Sequence, residues 1–319
     1  LLNFGLSLGR SLAARIFNPE DLFFLGEQGA WYDPSDLSTL FQDAAGTTAV
    51  TAGGDPVGLA VDKSGNEVNA AQSVSASRPV YNVAPSRLSY DKVDDALVIT
   101  VPAGGWIGTM VLATDQGTAS YGVSIPAGAY NLGGKYLPGT AIVGVVFRDG
   151  ALSAGEKAGA EAYFVGKGAV ASYGAVVDFT SFWRLRSEIT EFPLIDTSMG
   201  ENFSVAWYGC SSLTSFPLID TSRGTSFGYS WYGCSSLTSF PANAFDRIKG
   251  GNFSNAFSGT ALDQTSIDGI LVSLVASGIA AGTRVFDQSG GYAPSIDTGR
   301  PAIDTLRSRG WTVKVRGGY

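Results

Sequence analysis

The feature that most constrains this chain is a near-identical internal repeat. Phe192-Pro193-Leu194-Ile195-Asp196-Thr197-Ser198 returns as Phe216-Pro217-Leu218-Ile219-Asp220-Thr221-Ser222. Trp207-Tyr208-Gly209-Cys210-Ser211-Ser212-Leu213-Thr214-Ser215 returns as Trp231-Tyr232-Gly233-Cys234-Ser235-Ser236-Leu237-Thr238-Ser239. The period is 24 residues, and 18 of the 24 positions are identical. A degenerate copy precedes these, with Phe179, Trp183, Ile189 and Phe192 standing 24 residues before Phe203, Trp207, Leu213 and Phe216. Another follows, opened by Phe240-Pro241 and continued by Phe253 and Phe257 after a two-residue insertion. A unit this short cannot bury its apolar face alone, so it must stack on its neighbours.

The Leu-x-x-Phe-x-Leu spacing at this period predicts a leucine-rich-repeat solenoid of about four rungs over residues 169–262. Each rung is expected to give one short parallel strand, about 4.8 Å from the next. Leu213, Phe216 and Leu218 then point inward, as do Leu237, Phe240 and Ala242 one rung later. Ser215 with Pro217, and Ser239 with Pro241, line an exposed face. End rungs would expose apolar surface, and residues 263–319 predict an α/β cap. Ser266 is the expected N-cap of a helix carrying Ile267, Ile270, Leu271 and Leu274 on one face. A second helix has Pro301 in its first turn, carries Ile303 and Leu306, and stops at Gly310 before an alternating strand at 311–315.

The front half reads differently. Residues 1–17 place Phe4, Leu8 and Leu12 on one helical face, which predicts either a packing helix or, within a segment 1–25, an arm that anchors the chain in a larger assembly. Residues 26–80 are rich in Asp, Gly and Ala and predict an extended, loop-rich segment. Alternating runs at 96–101, 121–125 and 141–147 predict a small antiparallel β domain over 81–168. It closes with a helix at 153–167, with Ser153 as N-cap and Glu156 completing a capping box. The uncharged stretch 96–114 is long enough to cross a bilayer, but Pro102, Gly104 and Gly105 in its middle predict two strands and a turn. No signal peptide and no membrane insertion are expected.

Composition narrows the function. Charged residues make up 15% of the 319, against about 25% in a typical domain, and Gly reaches 42. These values exclude a coiled coil and suit a turn-rich β protein. The net charge of −7 argues against nucleic acid as a partner. With no histidine at all, Ser-His-Asp and Cys-His nucleophiles and imidazole-ligated zinc are excluded. No catalytic residue, metal or cofactor is expected.

Several groups invite chemistry and read more simply. Cys210 and Cys234 occupy one place in successive rungs, where parallel Cβ vectors disfavour a disulfide and predict buried thiols. Trp207 and Trp231 are expected in the core, with Tyr208 and Tyr232 pointing outward. The run Asp62-Lys63-Ser64-Gly65-Asn66 starts like a calcium loop but lacks the rest of one, so an Asx turn is expected. Asp91, Asp94 and Asp95 could supply a glycosidase pair, yet their adjacency predicts side chains that diverge in a solvated turn.

A resemblance adds to this. The stretch Gly26-Glu27-Gln28-Gly29-Ala30-Trp31-Tyr32-Asp33-Pro34-Ser35-Asp36-Leu37, with Pro56-Val57-Gly58 and Asp62-Lys63-Ser64-Gly65-Asn66, resembles the opening of tail-fibre and related virion proteins of tailed bacteriophages. Phe147-Arg148-Asp149-Gly150-Ala151-Leu152-Ser153 is similar to the closing strand and helix start of their concanavalin-like lectin domain. Cys-Ser-Ser-Leu-Thr-Ser-Phe-Pro is similar to leucine-rich repeats of bacterial surface proteins. The tail from Gln264 to Val313 resembles the cap that ends such repeats in phage proteins.

The resulting expectation is a β-rich α+β chain: a small antiparallel β domain, a short leucine-rich-repeat solenoid, and an α/β C-terminal cap. The resemblance implies a virion protein, assembled in the host cytoplasm, that binds the host cell surface without catalysis. Its partners would be other virion proteins and a host glycan or pilus, and it would form a homo-oligomer, with a trimer favoured. Tyr208, Tyr232, Thr214, Thr238, Ser215 and Ser239 are the expected receptor contacts. Only Asp196, Glu201, Asp220 and Arg223 are charged between Phe192 and Ser239, so recognition by hydroxyls is expected to outweigh electrostatic steering. The rival readings are a capsid-decoration or tail-scaffold protein and, less favoured, a polysaccharide-degrading enzyme.

Overall fold

The computed structural model describes residues 17–133, 137–280 and 284–319. Phe4, Leu8 and Leu12 lie outside the described residues. The described residues are β-rich with three α-helices, an α+β arrangement dominated by antiparallel sheets.

Four short strands come first: β1 (Gly29–Tyr32), β2 (Leu40–Phe41), β3 (Leu59–Ala60) and β4 (Ala70–Ala71). They are followed by β5 (Val80–Val83), β6 (Ser86–Ser89), β7 (Ala96–Val101), β8 (Trp106–Thr114), β9 (Thr118–Ile125), β10 (Gly128–Gly133) and β11 (Ala141–Asp149). Helix α1 (Ala154–Gly166) then starts on the expected capping box, Ser153 Oγ accepting from the Glu156 amide and Glu156 accepting from the Ser153 amide. A first sheet runs β9-β8-β11-β6-β5, with β1 also paired to β11, and a second runs β10-β7-β4-β3-β2.

The sheets explain two departures from expectation. The stretch 96–114 does form two strands, but β7 and β8 belong to different sheets, so the Pro-Gly turn carries the chain across the core. Residues 26–80, though loop-rich, contribute short strands to both sheets. β1 aligns Trp31 with Val146 and Tyr32 with Val145, and β4 aligns Ala71 with Val98. Strands of two to four residues leave too little alternation to be read from sequence.

Side chains of the first sheet alternate between two cores, as a pleated strand requires. Met110 and Leu112 face the second sheet, whereas Val111 and Ala113 face α1. A bulge between Ile142 and Gly144 keeps β11 in phase, and bare Gly144 gives the Phe164 ring of α1 its seat. Leu22 and Phe23, in the 3-10 turn Pro19–Phe23, join this core, so the end of the expected anchoring segment is structural.

Beyond α1, β12 (Ile189–Glu191) pairs antiparallel with β9. The repeat units then lie one on another. The amides of Phe203, Val205, Trp207 and Gly209 donate to the carbonyls of Ser226, Gly228, Ser230 and Tyr232 at 2.8–2.9 Å. The same four places recur one unit on, from Phe227, Tyr229, Trp231 and Gly233 to Asn252, Ser254, Ala256 and Ser258, each at 2.9 Å. Intervening amides turn back within their own unit, Ala206 to Phe203 and Cys210 to Trp207. The unit is thus built on a ribbon of turns. It needs a left-handed residue at 181, 205, 229 and 255, filled by Ser, Val, Tyr and Asn with φ between 51° and 61°.

This corrects the expected strand in each rung. At the Leu-x-x-Phe-x-Leu segment only a single parallel bridge forms, Ser215 to Ser239. Pro193, Pro217 and Pro241 follow directly and have no N–H to extend a ladder. The inward alternation fails there too. Leu218 is 54% exposed and Ala242 is exposed, while Ile219 takes the buried place.

Three aromatic ladders fill the stack. Phe179, Phe203, Phe227 and Phe253 follow one another at 4.8–5.3 Å, and Trp183, Trp207, Trp231 and Phe257 at 5.0–5.4 Å. Phe192, Phe216 and Phe240 form the third, at 5.3 Å. One continuous core joins these ladders to the inner faces of the sheets, so the expected boundary after residue 168 is bridged by packing. At that junction the Trp183 indole donates to the Tyr121 hydroxyl at 3.0 Å.

The far end is closed by β13 (Gly251–Phe253), α2 (Gln264–Ala276), β14 (Arg284–Gln288), α3 (Gly299–Ser308) and β15 (Thr312–Val315). The last three-stranded sheet, β13-β14-β15, is parallel. Asp263, not Ser266, caps α2, its carboxylate accepting from the Ser266 amide at 2.7 Å. Ser266 is buried instead, where its hydroxyl accepts from the Phe240 amide, and Ser273 does the same for Phe245. The Ser266 hydroxyl therefore satisfies an amide whose counterpart one unit earlier, that of Phe216, bonds to the Ser239 carbonyl of the next unit. Pro301 sits in the first turn of α3, and Gly310 follows its end with φ +80°. Among the described residues no helix is long and apolar enough to cross a membrane.

Candidate functional site: the outer rows of the repeat

Period-24 stacking turns single residues into rows. Tyr208 and Tyr232 are half-buried and stack at 5.0 Å with their planes 10° apart. Arg184 stands one period before Tyr208, and its guanidinium lies 5.1 Å from the Tyr208 ring centre. Both faces of Tyr208 are therefore occupied, and what it offers outward is its edge and hydroxyl. Tyr229, 42% exposed, leans on Tyr232 at 5.7 Å and 48°.

Thr214 and Thr238 form a second row, both exposed. Their hydroxyls lean back along the stack, Thr238 to the Thr214 carbonyl and Thr214 to the Thr190 carbonyl, each at 3.3 Å. Ser215 and Ser239 form the third row, exposed and in parallel register. The fold brings together each of the three expected pairs. Arg184 and Tyr229 were missed. Arg184 was legible from the period alone, since 184, 208 and 232 share one register, whereas Tyr229 replaces Val205 and breaks the repeat.

The remaining groups are accounted for by packing and turns. Cys210 and Cys234 are free, fully buried thiols whose sulfurs lie 3.1 Å from the carbonyls of Trp183 and Trp207. Burial pushes both thiols up, Cys234 to about 12. Trp207 and Trp231 are buried, and their indole N–H groups have no hydrogen-bond partner. The Asp62 carboxylate accepts from the amides of Trp31, Ser64 and Val68, the Asx-type turn expected.

The three aspartates after β6 behave otherwise than expected. The oxygens of Asp91, Asp94 and Asp95 converge to within 4.8 Å. The Asp91 side chain accepts the amides of Val93, Asp94 and Asp95, the Asp95 carboxylate accepts the Asp91 amide, and the Asp94 carboxylate accepts the Ser77 hydroxyl. Amide donation, first from Val93, holds Asp91 below its ordinary value, while burial raises Asp95.

A buried polar group sits where the sheets meet the repeat. Arg186 pairs with Glu188, and Tyr130 donates to Glu188 at 2.8 Å while accepting from Arg186 at 3.1 Å. Burial pulls the guanidinium down, but the charge and hydrogen bond of the facing Glu188 carboxylate, together with the Tyr130 and Tyr121 hydroxyls, outweigh it and hold Arg186 above its ordinary value. This group locks a junction and offers solvent little.

No family model matches this chain, and comparison with curated proteins and with solved structures gives no significant match.

Proposed function

We propose that the protein is a bacteriophage tail-fibre or tail-tip component that binds the host cell surface without catalysis. In this reading the stacked repeat is a short leucine-rich-repeat solenoid used as a rigid display surface. The observation that carries the proposal is the in-register pairing of Tyr208 with Tyr232, Thr214 with Thr238 and Ser215 with Ser239. Equivalent groups recurring at about 5 Å give many weak contacts, which several copies on one particle multiply through effective concentration. Because the faces of Tyr208 are covered, its contact is made by the ring edge and phenol. The partner is a surface glycan or pilus, the assembly a homo-oligomer, with three copies favoured, held among other virion proteins.

The test is saturable binding of labelled protein to intact bacterial cells, comparing wild type with Tyr208→Ser/Tyr232→Ser. Loss of binding with retained folding supports the proposal. Undiminished binding removes the tyrosine row as the contact.

A capsid-decoration or tail-scaffold role is the second reading. Location within a virion separates the two.

A further inference from the structure

The segment that departs from the expected inward pattern leaves an amphipathic surface of its own. Leu194 is 76% exposed and Leu218 54% exposed, one period apart. Two residues on, Asp196 and Asp220 are exposed beside them, with Ile195 and Ile219 turned toward the core. Leu218 and Asp220 line one open cleft of about 440 Å³, shared with Asp246 and Arg247. The rows are held in register from beneath, since Thr197 donates to the Asp220 carbonyl at 2.6 Å and Thr221 to that of Ala244. Each aspartate is oriented by the amide two residues on, Ser198 at 3.0 Å and Ser222 at 2.8 Å.

We infer that this double row docks an amphipathic α-helix of another protein, lying along the stack axis with a basic flank. Two matches support that occupant. The first is pitch. The underlying Phe192–Phe216 and Phe216–Phe240 ladders advance 5.3 Å per unit, and an α-helix advances about 5.4 Å per turn. One apolar side chain per helical turn therefore meets one leucine place per repeat, through Leu194, Leu218 and the small Ala242. The second is charge. Asp196 and Asp220 flank the leucine row. Asp246, whose carboxylate accepts from the Ser273 hydroxyl at 2.6 Å, lines the cleft with Asp220, and Arg247 is the one cation lining it among the described residues. Arg223 is paired with Glu201 at 2.7 Å. A helix with Lys or Arg beside its apolar stripe complements that row. The inference uses neither the tyrosine row nor host binding.

The probes are two synthetic helical peptides with the same leucine spacing, one flanked by Lys and one by Glu, titrated by fluorescence anisotropy into the full chain. The Lys peptide is expected to bind and the Glu peptide to bind at least about tenfold more weakly. Leu194→Ser/Leu218→Ser is expected to weaken the Lys peptide by about tenfold or more, and Asp196→Asn/Asp220→Asn to remove most of its salt dependence. All four positions are exposed, so circular dichroism of the variants should match wild type. Equal affinity for the two peptides, or binding that survives the leucine changes, overturns the inference. So does a self-association that the leucine changes disperse, because the occupant would then be a second copy of this chain.

Discussion

The indole rings of Trp207 and Trp231 lie 5.1 Å apart and 7° from parallel, and Phe257 extends the same column. Each indole N–H is buried without a partner, so the ring's value at these places is its area. Trp207→Ala is expected to destabilise the chain by about 3–5 kcal/mol. Trp207→Phe should lose less than half of that, because Phe already serves in the column at 257 and no hydrogen bond is broken. Urea unfolding of both variants checks this, and equal losses would refute the role given to area.

Removing one member of the Arg186–Glu188 pair should be more damaging than removing both. Glu188→Leu strands a buried guanidinium and is expected to cost about 3–5 kcal/mol. Arg186→Leu/Glu188→Leu should recover a large part of that loss. A double-mutant cycle by thermal and denaturant unfolding measures the coupling, and strictly additive effects would count against it.

The repeat cysteines should be silent toward thiol reagents in the native state. Their thiols are buried and held protonated, Cys234 to about 12. At pH 8 a chromogenic disulfide is expected to label neither until denaturant is added, and then both. Fast native labelling would mean the stack opens at the second and third units.

The cap of α1 links stability to acid. Hydrogen bonding to Ser153 is the first cause holding Glu156 below its ordinary value. A carboxylate lowered in the folded state stabilises above its unfolded pKa, about 4.3, and that contribution fades as pH falls through the lower folded value. Ser153→Ala is expected to cost about 1 kcal/mol near neutrality and to flatten the pH dependence below pH 4.3. Unfolding midpoints for wild type and variant across pH 2–7 test both parts.

Gly144 is required by the α1 side of the first sheet. A Cβ built there falls 2.0 Å from Phe164 Cε1. Gly144→Ala is expected to destabilise by about 1–3 kcal/mol, and Phe164→Leu in the same chain to restore part of it. The measurement is denaturant unfolding of the three variants, where no rescue would mean the strand and not the ring absorbs the clash.

What was readable and what was not divide by range. The capping box of Ser153 and Glu156, the strands around 96–101, 121–125 and 141–147, and the Asx turn at Asp62 are local patterns, and each forms where expected. The N-cap of α2 was misplaced because Asp263 and Ser266 both satisfy the local rule. Ser266 is withheld from capping by an amide of Phe240, 26 residues away. The convergence of Asp91, Asp94 and Asp95 was hidden for a similar reason, since it depends on which carboxylate captures the turn's amides.

The sequence by itself determined that residues 24 apart must meet, because near-identical units that cannot bury themselves have only each other. From that alone follow the Trp, Phe and Tyr columns, the paired buried cysteines and the paired threonines and serines. Only the tertiary structure decided which atoms hold the units together. Proline at 193, 217 and 241 withholds the amide a strand would need, so the ladder moves to the turn ribbon and the residues after the prolines, Leu194, Leu218 and Ala242, face outward. It also decided that the sheets, the stack and the cap share one core, because that depends on contacts such as Trp183 with Tyr121, between residues 62 apart and in different patterns.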